Sequence, residues 1–157
     1  MSRYAANTEV SSDRSRAEIE RTLERYGADQ FFYGWQDGAA TIGFRMHDRR
    51  VQFVLPLPDR NSDEFRLTPA KRYSRSETDQ ARAYEQAVRQ KWRALNLVVK
   101  AKLEAVESGI TSFEEEFLAH IVLPGGQRVG TWMIPQIGRA YETGHMPPLL
   151  PMLDGEA

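Results

Sequence analysis

Apolar positions recur with two different periods along this chain, and the switches between them mark out its elements. Ile19, Leu23 and Tyr26 follow Ser15-Arg16-Ala17-Glu18, where a hydroxyl residue precedes a carboxylate by three positions. That pattern predicts a capped short helix over 16–26, stopped by Gly27. The period then falls to two. QFFYGW (30–35) puts Phe31, Tyr33 and Trp35 on one face and Phe32 on the other. ATIGFRM (40–46) sets Ile42, Phe44 and Met46 opposite Thr41, Gly43 and Arg45, and VQFVLPLP (51–58) alternates Val51, Phe53 and Leu55 until Pro56 ends its pairing. Asp37-Gly38 and the four-residue joint His47-Asp48-Arg49-Arg50 supply the turns. The three segments read as an antiparallel meander with one buried face.

Residues 59–76 are polar and basic without a period, which predicts a long loop. Ser76-Glu77-Thr78-Asp79 then caps the strongest signal in the chain. Tyr84, Val88, Trp92, Leu95, Val99, Leu103 and Val106 recur at steps of three and four, so one amphipathic helix is expected over 78–108, ended by Gly109. Ser112-Phe113-Glu114-Glu115 is a second capping box that opens a short helix. HIVLPGGQRVGTWMI (120–134) predicts a small hairpin turning at Pro124-Gly125-Gly126, and a short helix over 135–143 follows. The expected fold class is α+β: a short helix, a three-stranded antiparallel meander, a long amphipathic helix packed on the sheet, then a small helix–hairpin–helix part. The expected organisation is a disordered lead over 1–14, one domain over 15–146 and a Pro-rich tail over 147–157.

The 157 residues suit one domain with a real core, and 41% apolar with 27% charged is ordinary for a globular chain. The chain has no cysteine, which excludes disulfides, thiolate metal sites and a cysteine nucleophile and fits a cytoplasmic setting. No run approaches the roughly 18 apolar residues of a membrane span. The net charge of −1 conceals a division: residues 60–102 carry 11 Lys/Arg against 5 Asp/Glu, and residues 103–157 carry 2 against 8. Either the two regions attract each other, within a fold or across subunits, or the basic one meets an external anion.

Few positions suggest catalysis. Glu115, Glu116 and His120 could form a two-metal nuclease site, but acids in a first helical turn are explained by the free N–H groups there. His47, His120 and His145 have no ligand spacing, and no nucleotide loop or nucleophile elbow is present. No catalytic residue, metal or cofactor is therefore assigned. The basic and aromatic residues remain. Arg45, Arg49 and Arg50 cluster on the second hairpin, Lys71, Arg72, Tyr73 and Arg75 lie in the loop, and Arg89 and Lys91 lie on the long helix. Such cations neutralise phosphates, and Tyr33, Trp35 or Tyr73 would stack unpaired bases. The competing account places Trp35 and Trp92 in the core. Arg49 and Arg50 exceed what the turn needs, and the loop 66–75 is expected beside them.

The order helix, three antiparallel strands, long helix, with Gly34-Trp35 ending the first strand, a basic loop after the third and EQAVRQKWRALNLVVKAKL (85–103) on the helix, resembles the core of phage-type single-strand annealing proteins of the RecT/Redβ kind. The resemblance covers roughly residues 16–108. It implies a basic groove for single-stranded DNA lined by hairpin, loop and helix, here Arg45, Arg49, Arg50, Lys71, Arg72, Arg89 and Lys91, and assembly into rings or filaments; the charge division makes the basic 60–102 and acidic 103–157 surfaces the expected contacts of a homo-oligomer. The functional expectation is single-stranded DNA or RNA binding without a cofactor. A protein–protein module, such as a phage inhibitor or assembly factor, is the alternative, and a metal-dependent nuclease the third.

Overall fold

A computed structural model describes residues 5–36, 38–71 and 73–149. The chain folds as α+β. Helix α1 (Ser12–Arg25) leads into a sheet of β1 (Gln30–Gln36), β2 (Ala39–Met46) and β3 (Arg49–Pro56), antiparallel in the order β1-β2-β3. Helices α2 (Asp63–Arg66), α3 (Glu77–Glu107), α4 (Phe113–Phe117) and α5 (Val129–Thr143) follow. Among the described residues no helix is long and apolar enough to cross a membrane.

The period-two segments pair as their alternation requires. Tyr33 lies opposite Ile42 and Ile42 opposite Phe53, so one face collects Phe31, Ile42, Phe44, Val51 and Phe53. Onto this face α3 lays the inward stripe Trp92, Leu95, Val99 and Leu103, all buried. Phe117 of α4 closes the core with edge-on contacts to Phe44 and Phe53. The opposite face carries Phe32, whose ring covers Gly43 so closely that a Cβ there would fall 1.9 Å from Phe32 Cζ.

Several boundaries differ from the sequence reading, each for a physical reason. Helix α1 begins at Ser12, inside the stretch read as a lead. Ser11 Oγ, not Ser15, accepts the capping bond, from Arg14 N at 3.2 Å, and Ser15 is fully buried one turn inside. The His47-Asp48 turn has two residues rather than four. Both have positive φ, 50° and 57°, as in a tight type I′ hairpin, so Arg49 and Arg50 are the first residues of β3. Asp37, the first residue of the other turn signal, lies outside the described residues.

The loop over 59–76 is partly structured. Phe65 on α2 is buried edge-on to Tyr84, and a Leu67–Ser74 bridge folds the segment on itself. The hairpin over 120–134 is reduced to a Val122–Arg128 bridge, while Ile121 bridges to Val51 on the edge of β3. Its second half is helical instead, and α5 begins at Val129 with Pro135 inside it. Gly130 is the reason: a Cβ there would meet Ala119 O at 2.8 Å, so only glycine lets this first turn sit against residues 118–120.

Trp92→Ala should destabilise the fold by roughly 3–5 kcal/mol, through lost transfer energy and the cavity left beneath the sheet. Urea unfolding measures it, and an unchanged midpoint contradicts the packing of α3 on β1–β3.

Candidate nucleic-acid interface

The predicted basic and aromatic residues do not converge on one groove. They divide between the two ends of the sheet. At the His47-Asp48 end, Arg50 lies opposite Arg45 in the β2–β3 register, on the face away from α3. Arg45 is already engaged, since its Nε donates to Asp29 Oδ1 at 2.9 Å and its NH2 to Oδ2. Hydrogen bonds from Arg45 hold the Asp29 carboxyl below the usual range against the opposing effect of burial, with the Arg45 charge adding to them, and the same pair raises the Arg45 guanidinium. Arg49 falls on the other face by alternation and is exposed, with only a long contact, among the described residues, to the Asp48 carbonyl at 3.5 Å. His47 rests against Phe113 at 5.1 Å, which seats this turn on α4.

The loop leaves β3 at Pro56, the opposite end, where Leu57 N donates to Gly38 O at 2.9 Å. The expectation that residues 66–75 lie beside Arg49 and Arg50 is therefore overturned. The β2 partners of Trp35 and Arg50, Ala40 and Arg45, are five residues apart, which is roughly 17 Å of strand. At this far end Trp35 is 75% exposed, so its core assignment is also overturned, while Trp92 is buried as its stripe requires. Tyr33, two residues back on the same face, is engaged: Arg16 lies over its ring at 4.2 Å and Trp92 meets it edge-on at 5.7 Å.

The segment carrying Lys71, Tyr73 and Arg75 is pinned to the N-terminal end of α3. Tyr73 O accepts from Thr68 N at 2.9 Å, Gln80 Nε2 donates to Arg75 O at 2.9 Å, and Arg60 covers Tyr84 at 4.5 Å. Tyr73 is 72% exposed, and the Lys71 and Arg75 side chains have no partner among the described residues. Arg72 lies outside the described residues. On α3, Arg89 bonds Gln86 Oε1 and Lys91 projects from the opposite flank of the helix.

Part of the charge division is absorbed inside the fold. Lys102 of the basic region pairs with Glu116 of the acidic one at 3.0 Å. Glu18 on α1 takes a 2.9 Å bond from Arg93, a 2.7 Å bond from Asn96, and ion pairs from Lys100 and Arg14 at 3.6 Å. Burial opposes the charge on Glu18, but these donors and cations outweigh it and hold the carboxyl below its usual value. Arg14, Arg21 and Arg25 stand outside the predicted set. Their spacing of seven and four, with Glu18 between, was a legible signal for one helical stripe.

Glu115, Glu116 and His120 are each engaged by a different neighbour. Glu115 completes the capping box, accepting from Ser112 N and from the Thr111 hydroxyl, both at 3.2 Å, and these bonds lower its pKa. Glu116 is held by Lys102, and His120 stacks on Phe53 at 4.1 Å. Burial, followed by the charges of Lys102 and Arg128, pushes the His120 ring toward its neutral form. No group of three His, Asp or Glu among the described residues is placed to hold an ion. Comparison with family models, curated proteins and solved structures finds no match.

Glu115→Gln should leave the melting temperature close to wild type, because Gln also completes the box, whereas Glu115→Ala should lower it. Equal melting temperatures for all three proteins contradict the capping role. Glu18 has a depressed carboxyl, so its contribution is present above the ordinary carboxylate pKa and is lost as pH falls through the folded value. Wild-type stability should drop below about pH 4.5, and Glu18→Gln should show a shallower drop. Superimposable pH–stability curves for the two exclude this linkage.

Proposed function

We propose that this protein binds single-stranded nucleic acid, DNA or RNA, and promotes annealing in the manner of the phage recombinases that its element order resembles. The observation that carries the reading is the exposure of two rings, Trp35 at the end of β1 and Tyr73 in the loop after β3, where the Lys71 and Arg75 side chains have no partner among the described residues. β1 ends at Gln36 and β3 at Pro56 on the same side of the sheet, and the loop that carries Tyr73 leaves from there. Unpaired bases stack on such rings at about 1–3 kcal/mol each, and nearby cations neutralise phosphates without fixing sequence. The reading needs no metal or nucleotide. It includes a homo-oligomer in which basic 60–102 and acidic 103–157 surfaces of different copies meet.

Fluorescence anisotropy against single-stranded DNA, duplex DNA and RNA tests it. The single strand should bind most tightly, and Trp35→Ala with Tyr73→Ala should weaken it about tenfold or more. Wild-type affinity in that double variant removes the stacking role.

A second reading, a protein–protein module, is favoured by α5. Ile134, Ile137 and Tyr141 lie on one stripe of this helix and are 64%, 42% and 89% exposed. Nucleic-acid binding that survives in none of the three titrations would bring this reading forward.

A further inference from the structure

We infer that the seam between α1 and α3, on the side facing solvent, is the track that holds the phosphate backbone of the bound strand; this rests on the single-strand reading above. The two helices run parallel. Glu18 meets Arg93 and Lys100 near the middle of both, and the Tyr26 hydroxyl reaches Glu104 at 3.4 Å toward their C-terminal ends. Arg14, Glu18, Arg21 and Arg25 lie at i, i+4, i+7 and i+11 on α1, and Arg89, Arg93, Asn96 and Lys100 repeat those steps on α3. Helical geometry turns each set into one flank, and the parallel packing sets the flanks side by side over about 16 Å. An open groove of about 340 Å³ between them is lined by Glu18, Arg21, Thr22, Arg25 and Lys100.

Cations outnumber carboxylates along the seam: Arg14, Arg21, Arg25, Arg89, Arg93 and Lys100 stand against Glu18 and, toward its two ends, Glu85, Glu104 and Glu107, for a surplus of two. Glu18 bridges the helices and orients Arg93 and Lys100, and it cannot neutralise the rest. The guanidinium groups of Arg21 and Arg25 are exposed and have no partner among the described residues. A free guanidinium presents a planar fork of donors that matches a phosphate. The track ends where Glu104 and Glu107 follow on α3.

Two features favour a nucleic-acid backbone over an acidic protein. Protein interfaces gather an apolar, aromatic centre. None of the large exposed apolar residues among the described residues lies in the seam; Val98, the one on α3, points from the opposite flank. The seam also starts at the end of the sheet that carries Trp35, because Arg16 of the first turns of α1 covers Tyr33 of the same strand. The seam thus runs from the end of the sheet that carries Trp35 toward the end where β1 begins, with Arg21 and Arg25 along its second half.

The test is the double variant Arg21→Ala, Arg25→Ala, titrated with an oligothymidylate over a range of salt and compared with Arg49→Ala, Arg50→Ala. Both target pairs are exposed, and circular dichroism should give wild-type melting for both variants. The seam variant should bind at least tenfold more weakly at low salt, and its log–log salt slope should flatten by about 1.4, two contacts at about 0.7 each. Wild-type affinity and slope in the seam variant, with binding lost in Trp35→Ala, Tyr73→Ala, overturns the track and leaves the functional reading standing. No oligonucleotide binding by the wild type overturns both. Equal affinity of the wild type for polyglutamate, lost in the seam variant, overturns the nucleic-acid assignment of the seam.

Discussion

Burial of one stripe of α3 against one face of the meander is the contact on which everything else in this protein rests. Trp92, Leu95, Val99 and Leu103 recur at helical spacing, and Ile42, Phe44, Val51 and Phe53 face them at strand spacing. A three-stranded sheet alone exposes too much apolar surface to be stable, and an isolated helix of 31 residues has no partner for its stripe. Each solves the other's problem. Once α3 is seated, α4 is drawn in by Phe113 and Phe117, and α1 fills the remaining flank with Ile19 and Leu23.

That seating also decides the electrostatics. A helix packed on a sheet leaves two flanks beside its buried stripe, and α3 carries cations on both. On one flank Lys102 finds Glu116. On the other, Arg93 and Lys100 share Glu18 with Asn96 and Arg14, so a single carboxylate satisfies several donors and a positive surplus remains along the α1–α3 seam. The carboxylate acts as a brace between the two helices.

The hairpin of His47 and Asp48 illustrates how local chemistry and tertiary context divide the work. Positive φ at both residues makes the turn tight, and the ring of His47 anchors it to Phe113. Arg49 and Arg50 are thereby pulled into the strand and split between its two faces. A basic tetrapeptide that looks like one cluster becomes two separate cations, one of them opposite an Arg45 already committed to Asp29.

What the sequence determined by itself were the periods: three strands of alternating residues, the long helix from its stripe, the Ser112–Glu115 capping box, and which of the α3 residues face inward. These depend on residues close in the chain, and their physics is complete within a few turns or strands. Tertiary structure alone decided the rest. Ser15 has the better local capping pattern, with Glu18 three residues on, yet Ser11 takes the cap, Ser15 is buried inside α1, and Glu18 is drawn instead to Arg93 and Asn96 of α3. Val129 begins α5 because Gly130 fits against Ala119, a contact invisible in the local pattern. Trp35 shares its strand face with Tyr33, yet it lies beyond the cover that Arg16 and Trp92 give Tyr33, so alternation cannot tell their exposures apart. The arginines of α1 and Arg89, Arg93 and Lys100 of α3 are more than sixty positions apart, and only the parallel packing of two helices on one sheet makes them neighbours.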